Sequence, residues 1–284
     1  MMPQPANVLF FWDYDTQWGA DRSRNPHRVP DWGPLEFPNT ELVLEAHAEH
    51  GIPACFAVVG AAALPGERPY HDPAQIRRIH EAGHEVGSHA FRHEWLPALG
   101  GAGLRETLVA SKDALEQCIG AEVTTFVPPY NQPFDHARGW SFSLSERRAV
   151  RHDRIDVVRL CATLRETGYE FCRLGDRAIA LRLADQIARR ELHRPGRLDT
   201  IEGIRCLRIN APCGFAEEAR AVMERQLDRG GYWVLYGHPH SVSDPANTQS
   251  LANLEATLAL VARWQREGKV RCTLPRELAA LEPV

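Results

Sequence analysis

Short apolar runs recur along this chain, and between them lie segments whose apolar residues repeat every three or four positions. Asn7 to Asp13 (NVLFFWD), Ala54 to Val59, His84 to Ser88, Glu122 to Val127, Tyr169 to Arg173, Gly203 to Ile209, Tyr232 to Tyr236 and Val270 to Thr273 read as strands. The stretches Thr40 to Glu49, Asp72 to Ala82, Leu104 to Ile119, Ile155 to Thr167, Ala216 to Arg229 and Leu251 to Glu267 read as helices. Asn39 or Thr40 serves as a cap, and Gly51 and Gly83 as stops. Parallel strands need crossover helices, so this alternation specifies an α/β fold with a mostly parallel sheet. Seven or eight such units favour a closed barrel, with a doubly wound open sheet as the competing arrangement. Three stretches break the rhythm: 16–38, 131–151 and 179–200, the last with a helical pattern and a Pro-Gly turn. Loops of this length after barrel strands usually wall a substrate site.

The 284 residues can bury a large core, and 44% hydrophobic with 25% charged residues excludes disorder as the dominant state. A net charge of −4 gives no electrostatic footprint for nucleic acid or an anionic membrane. No apolar stretch approaches a bilayer span, and the start, Met1-Met2-Pro3-Gln4-Pro5, lacks a basic leader region. The seven cysteines form no C-x-x-C pair and sit mostly in apolar runs, which suits reduced thiols. These features predict a cytoplasmic protein; an oligomer is compatible with them.

Four strand ends concentrate polar groups. In Phe11-Trp12-Asp13-Tyr14-Asp15 two carboxylates two apart on an extended chain share a face and repel, which a cation relieves. A helix cap or a loop carboxylate pair is the simpler reading of that motif alone. His89-Ala90-Phe91-Arg92-His93 has His-x-x-x-His spacing, which on one helical turn would put both imidazoles on one face. With 13 histidines a chance pair competes. Pro128-Pro129-Tyr130 fixes the backbone rigidly and could aim a peptide N–H at an oxyanion, or simply end a strand. Finally, Gly237-His238-Pro239-His240 follows an apolar run; a histidine there could donate a proton, or sit in a surface turn. Trp12 and Tyr14 read as packing residues. Together the four form one ordered set that a parallel barrel would bring to a single rim.

In these motifs the chain resembles the polysaccharide deacetylase family, also called the NodB-homology or carbohydrate esterase 4 family, from about Val8 to Leu278. Phe11 to Asp15 resembles the family's Thr-Phe-Asp-Asp motif, in a form with one residue between the aspartates. Gly87 to His93 resembles its His-Ser/Thr-x-x-His motif, Phe126 to Tyr130 its Phe-Arg-x-Pro-Tyr motif, and Leu235 to His238 its Leu-x-x-His motif. Gly51 to Gly60 resembles the second strand. The resemblance implies a single domain over 1–284 built as a distorted (β/α) barrel of seven or eight mostly parallel strands. It implies Asp13 as general base, His238 as general acid, and the Tyr130 N–H as an oxyanion donor. Asp15, His89 and His93 would hold one divalent metal, with zinc best suited and cobalt, nickel or manganese compatible. Val127 stands where the family has a base-orienting arginine, for which Arg92, Arg151 and Arg154 are the substitutes in view. Ala90 replaces the usual Ser or Thr. The aspartate that steadies the acid has no match, Asn210 lying nearest the expected place. The spaced aspartates resemble a branch with allantoinase-like and cyclic-imide-hydrolysing members.

The expected activity is therefore removal of an N-acetyl or N-acyl group from a sugar or sugar intermediate, the substrate being a small molecule or an oligosaccharide. Trp18, Trp32 and Trp140 are candidates to stack on a sugar ring, though loop packing explains each singly. Hydrolysis of a small cyclic amide or imide at the same site is the alternative. A catalytically silent carbohydrate-binding barrel is a third reading, and His240 competes with His238 as acid or adds a metal ligand.

Overall fold

The computed structural model describes residues 5–23, 32–132, 155–175 and 193–281 of the chain. Its strands are β1 (Ala6–Tyr14), β2 (Cys55–Val58), β3 (Glu85–Ser88), β4 (Thr125–Phe126), β5 (Phe171–Gly175), β6 (Arg194–Ile201), β7 (Ile204–Asn210), β8 (Tyr232–Gly237) and β9 (Val270–Cys272). The helices are α1 (Thr16–Ser23), α2 (Gly33–His50), α3 (Pro73–Glu81), α4 (Gly101–Ile119), α5 (Val157–Glu166), α6 (Glu217–Gln226), α7 (Leu251–Arg266) and α8 (Pro275–Ala279). No helix among the described residues is long and apolar enough to cross a membrane.

The strands run β2-β3-β4-β5-β7-β6-β8-β1, and the β1–β2 pairing closes them into a ring of eight. Only β6 in this ring is antiparallel to its neighbours; β9 pairs with β1 outside the ring. Closure is thin at β6–β8, where Gly196 meets Tyr232. A Cβ on Gly196 would lie 2.8 Å from the Arg208 carbonyl oxygen, so glycine is needed for that approach.

Side-chain alternation splits the core in two. Leu9, Phe11, Ala57, Phe171, Leu207 and Val234 fill the inside of the ring. Val8, Phe10, Trp12, Phe56 and Leu235 face outward and pack under the helices. Carried upward with a period of two, the inner row of β1 becomes Asp13 and then Asp15, that of β5 reaches Arg173, and that of β8 reaches His238. The interior is apolar below and polar at the rim where the parallel strands end. At the opposite end Glu85 accepts the Arg276 peptide N–H at 3.0 Å, docking α8 beneath the ring.

Three expectations fail. The stretch 16–38, read as a loop, contains α1 and the start of α2. Thr40 is no cap: its Oγ1 donates back to the Glu36 carbonyl at 2.7 Å, a mid-helix bond. Pro38 lies inside α2, where it supplies no N–H to the helix ladder. The Pro-Gly turn read near residue 195 lies within β6, which folds back on β7 through Glu202 and Gly203. Both have positive φ, 50° and 84°, as a tight two-residue hairpin turn requires. The expected helical pattern before residue 193 lies outside the described residues.

Candidate metal and catalytic site

Asp15, from the end of β1, and His89 and His93, from the turn after β3, converge at the rim. One ligand atom from each lies within 4.8 Å of the others, and all three side chains are buried. Asp15 Oδ1 is 3.5 Å from His89 Nε2 and 3.6 Å from His93 Nε2. Those separations are long for hydrogen bonds, and Oδ1 has no hydrogen-bond partner. They are close to the ~3.3–3.4 Å edge of a tetrahedron of donors ~2.0–2.1 Å from a metal. A buried acceptor without a donor, flanked by two imidazole nitrogens, fits a cation.

The two histidines do not sit on a helical turn as their spacing suggested. Ala90 and His93 have φ of 63° and 57°, so the chain after β3 is a sharp turn. That turn is pinned from several sides: the His89 N–H donates to the Val58 carbonyl at 2.8 Å, and the Gly60 and Ala61 N–H groups donate to the Ala90 and Phe91 carbonyls. Ser111 Oγ reaches the Ala90 carbonyl at 3.0 Å. His89 Nδ1 bonds the Val127 carbonyl at 2.7 Å, which as the N–H form leaves Nε2 with its lone pair toward Asp15. Burial holds the His89 imidazole down to about 4, in its neutral, ligating form.

Asp13 is paired with Arg173, whose Nη2 lies 2.8 Å from Oδ2, both side chains being almost wholly buried. Arg173 is thus the arginine that faces Asp13, and sequence reasoning missed it. Arg92 instead stacks on the Trp18 and Phe91 rings, and Arg151 and Arg154 lie outside the described residues. The missed signal was positional: Arg173 closes the inner row of β5 behind Phe171. Its guanidinium lies over the Phe11 and Tyr236 rings and also reaches Asn131 Oδ1 at 3.3 Å. Burial alone would raise Asp13, but Arg173, His89 and His238 outweigh it and hold its carboxyl below the usual range. Asp15 goes the other way, pushed well up by burial and by Glu36 and Asp13 beside it. Without a cation the two aspartates are not both readily ionised.

Tyr130 and Asn131 follow β4 in left-handed conformations, with φ of 62° and 53°. A tyrosine held there stores strain, which collects at working sites. Its ring meets His93 at 4.5 Å between centroids. His238, beyond β8, has a neutral partner: Gln249 Oε1 accepts its backbone N–H at 2.6 Å and lies 3.2 Å from Nδ1. Gln249 thus stands where an aspartate was sought; the side chain of Asn210 lies outside the described residues. Burial, then His240, holds His238 below the ordinary imidazole range.

Glu36, on the first turn of α2, was not anticipated. It is fully buried, and its Oε2 lies 3.1 Å from His240 Nδ1. His240 is stacked on Trp32, 4.9 Å between centroids, and its ring centroid lies 5.2 Å from that of His238. Trp18 packs against Tyr70, and Trp140 lies outside the described residues. Trp12 and Tyr14 are buried packing residues, as expected.

Residues 31–139 match the family model described as polysaccharide deacetylase. A chitooligosaccharide deacetylase of Sinorhizobium fredii is 37% identical over 92 residues, which is 32% of this chain and 40% of that protein. The chain thus spans well under half the length of that curated relative. Among solved structures, a Mycobacterium smegmatis protein described as a polysaccharide deacetylase aligns over 98% of this chain and 90% of its own, with 18% identity and a TM-score of 0.65. An allantoinase aligns over 96% and 88%, with 14% identity and a TM-score of 0.59. At such identities these two establish the shared fold.

Proposed function

We propose that this chain, a member of the polysaccharide deacetylase (NodB-homology) family, is a metal-dependent hydrolase that removes an N-acetyl group from a sugar or sugar intermediate. The observation that carries the proposal is the buried, unpartnered Asp15 Oδ1 set between His89 Nε2 and His93 Nε2. A divalent ion held there, zinc by preference of this donor set, would polarise the substrate carbonyl and lower the pKa of water. Asp13, kept ionised by Arg173, takes the proton of the attacking water. The Tyr130 peptide N–H, on a left-handed backbone, would serve as donor to the developing oxyanion. His238, oriented through Nδ1 by Gln249, passes a proton to the leaving nitrogen.

The experiment is metal analysis of the purified protein together with acetate release from an N-acetylated chitooligosaccharide, with and without chelator. One equivalent of metal and chelator-sensitive acetate release are expected; release that chelation leaves untouched refutes the proposal. Hydrolysis of a small cyclic amide or imide is the second reading. It draws on the enclosure of the site, whose aspartate and two histidines are 2–4% exposed. Ring opening releases no acetate, so a substrate panel separates the two. The silent-barrel reading loses one of its motives, since Arg173 takes the place of the arginine missing at Val127.

A further inference from the structure

His240 is the motif residue that the proposed chemistry leaves unused. Its ring lies beside that of His238, with centroids 5.2 Å apart and planes tilted by 40°. Two contacts hold it there: Trp32 stacks on it at 4.9 Å between centroids, and Nδ1 lies 3.1 Å from Glu36 Oε2. Glu36 is fully buried on α2 and also accepts backbone N–H bonds from Thr16 and Asp15, so this brace is itself fixed. What remains of His240 is Nε2. No described residue bonds it, yet it is not sealed off, and 14% of the side chain is exposed. Gln249 and Cys213 both gather at Nδ1 of His238, which leaves the Nε2 of that ring for the substrate as well.

We infer that His240 is a specificity-determining residue: its Nε2 hydrogen-bonds a hydroxyl on the carbon next to the one that bears the scissile nitrogen, while His238 serves that nitrogen. This rests on the hydrolase reading above and narrows the substrate class to amides of vicinal amino alcohols, of which amino sugars are one kind. Adjacent rings meet adjacent polar groups of one substrate. That the group is a hydroxyl follows from the brace. In a neutral imidazole one nitrogen donates and the other accepts, and Glu36 decides which is which. With Glu36 ionised, Nδ1 donates to it and Nε2 accepts. With the Glu36 carboxyl protonated, burial having pushed it up to about 8, Nδ1 accepts and Nε2 donates. A hydroxyl both donates and accepts, so it pairs with His240 in either form, whereas an N–H or a carbonyl pairs in only one. No proton is transferred to or from His240 in this role.

The test is binding, not turnover. Zinc-loaded protein is titrated calorimetrically with each enantiomer of trans-2-aminocyclohexanol and with cyclohexylamine, which lacks the hydroxyl. Wild type should prefer one enantiomer of the amino alcohol over cyclohexylamine by roughly three- to tenfold, the worth of one neutral hydrogen bond. His240→Phe, which keeps a ring against Trp32, should lose that preference while its affinity for cyclohexylamine stays within about twofold and its zinc content matches wild type. Equal affinities in wild type, or an undiminished preference in His240→Phe, overturn the inference. Loss of zinc from His240→Phe also overturns it, by making His240 a metal ligand. Should His240→Phe fail to fold, His240→Leu carries the same expectation. A wild-type protein that takes up no zinc refutes the hydrolase reading instead, and the same titrations on metal-free protein then decide the hydroxyl contact.

Discussion

Replacing Arg173 by methionine tests the electrostatics of the site without relying on turnover. Arg173 Nη2 and Asp13 Oδ2 are 2.8 Å apart, with side chains 1% and 7% exposed, so solvent screens them little. At an effective dielectric of about 20, unit charges at that distance attract by about 6 kcal/mol, against which the desolvation of both must be set. Methionine fills much of the space between the Phe11 and Tyr236 rings but leaves the Asp13 carboxylate buried and uncompensated. Such orphaned charges cost about 3–5 kcal/mol. Urea denaturation in chelator, so that ion binding does not mask the effect, should show Arg173→Met less stable by that amount. Asp13→Asn alone should lose a comparable amount, because it orphans the guanidinium. The double variant should recover most of it, giving a coupling energy of about 2 kcal/mol or more. Strict additivity, or a single Arg173→Met variant within about 1 kcal/mol of the parent, would refute the pairing as the factor that holds Asp13 ionised.

Gly19→Ala places a Cβ 2.5 Å from the Asp15 Cβ, so although alanine favours helix by about 1 kcal/mol, the variant should bind metal more weakly by calorimetric titration; unchanged affinity counts against Asp15 as a ligand. His47 commits both ring nitrogens, Nδ1 to the Ile52 carbonyl at 2.8 Å and Nε2 to Trp12 Nε1 at 3.0 Å, and burial lowers it to about 3. The unfolded chain then takes up this proton first, and stability should fall by about 1.4 kcal/mol per pH unit as pH drops below about 6.5, a slope that His47→Gln reduces in urea titrations at several pH values. Gln249→Glu puts a charge beside His238 Nδ1 and should move the limb of the kcat/KM profile attributed to His238 to higher pH by about one unit or more; an unmoved limb removes His238 from the acid role.

The strands, the helices after Gly51 and the rim positions of Asp13, Asp15, His89 and His238 were legible because each rests on a local period: two along a strand, 3.6 along a helix. Leu9, Phe11, Asp13 and Asp15 are one inward row, and their chemistry is written in its order. What stayed hidden depends on contacts between distant segments. Arg173 meets Asp13 across 160 positions, and His240 meets Glu36 across 204; neither pairing has a spacing to read. Nor does His-x-x-x-His announce two left-handed residues, since Ala90 φ is set by bonds to Gly60 and Ser111, not by its own preference.

The same distinction explains how a departure at Val127 still leaves Asp13 with a positive partner. The position contributes its backbone: its carbonyl fixes His89 Nδ1, and its own N–H bonds the Ser88 carbonyl at 2.9 Å. The positive charge is supplied instead from β5, whose inner row reaches the same height in the ring. In a closed ring each rim point is reachable from more than one strand, so a charge can change strands while its field at Asp13 is preserved. A residue missing from a linear motif therefore says little until the inner rows of the other strands have been read. The negative side at this rim is built the same way: Asp15 comes from the end of β1 and Glu36 from α2, and after burial itself the charge of Glu36 raises the ionisation cost of Asp15, while that of Asp13 raises the cost for both. One divalent ion against Asp15 would offset that repulsion for the aspartate.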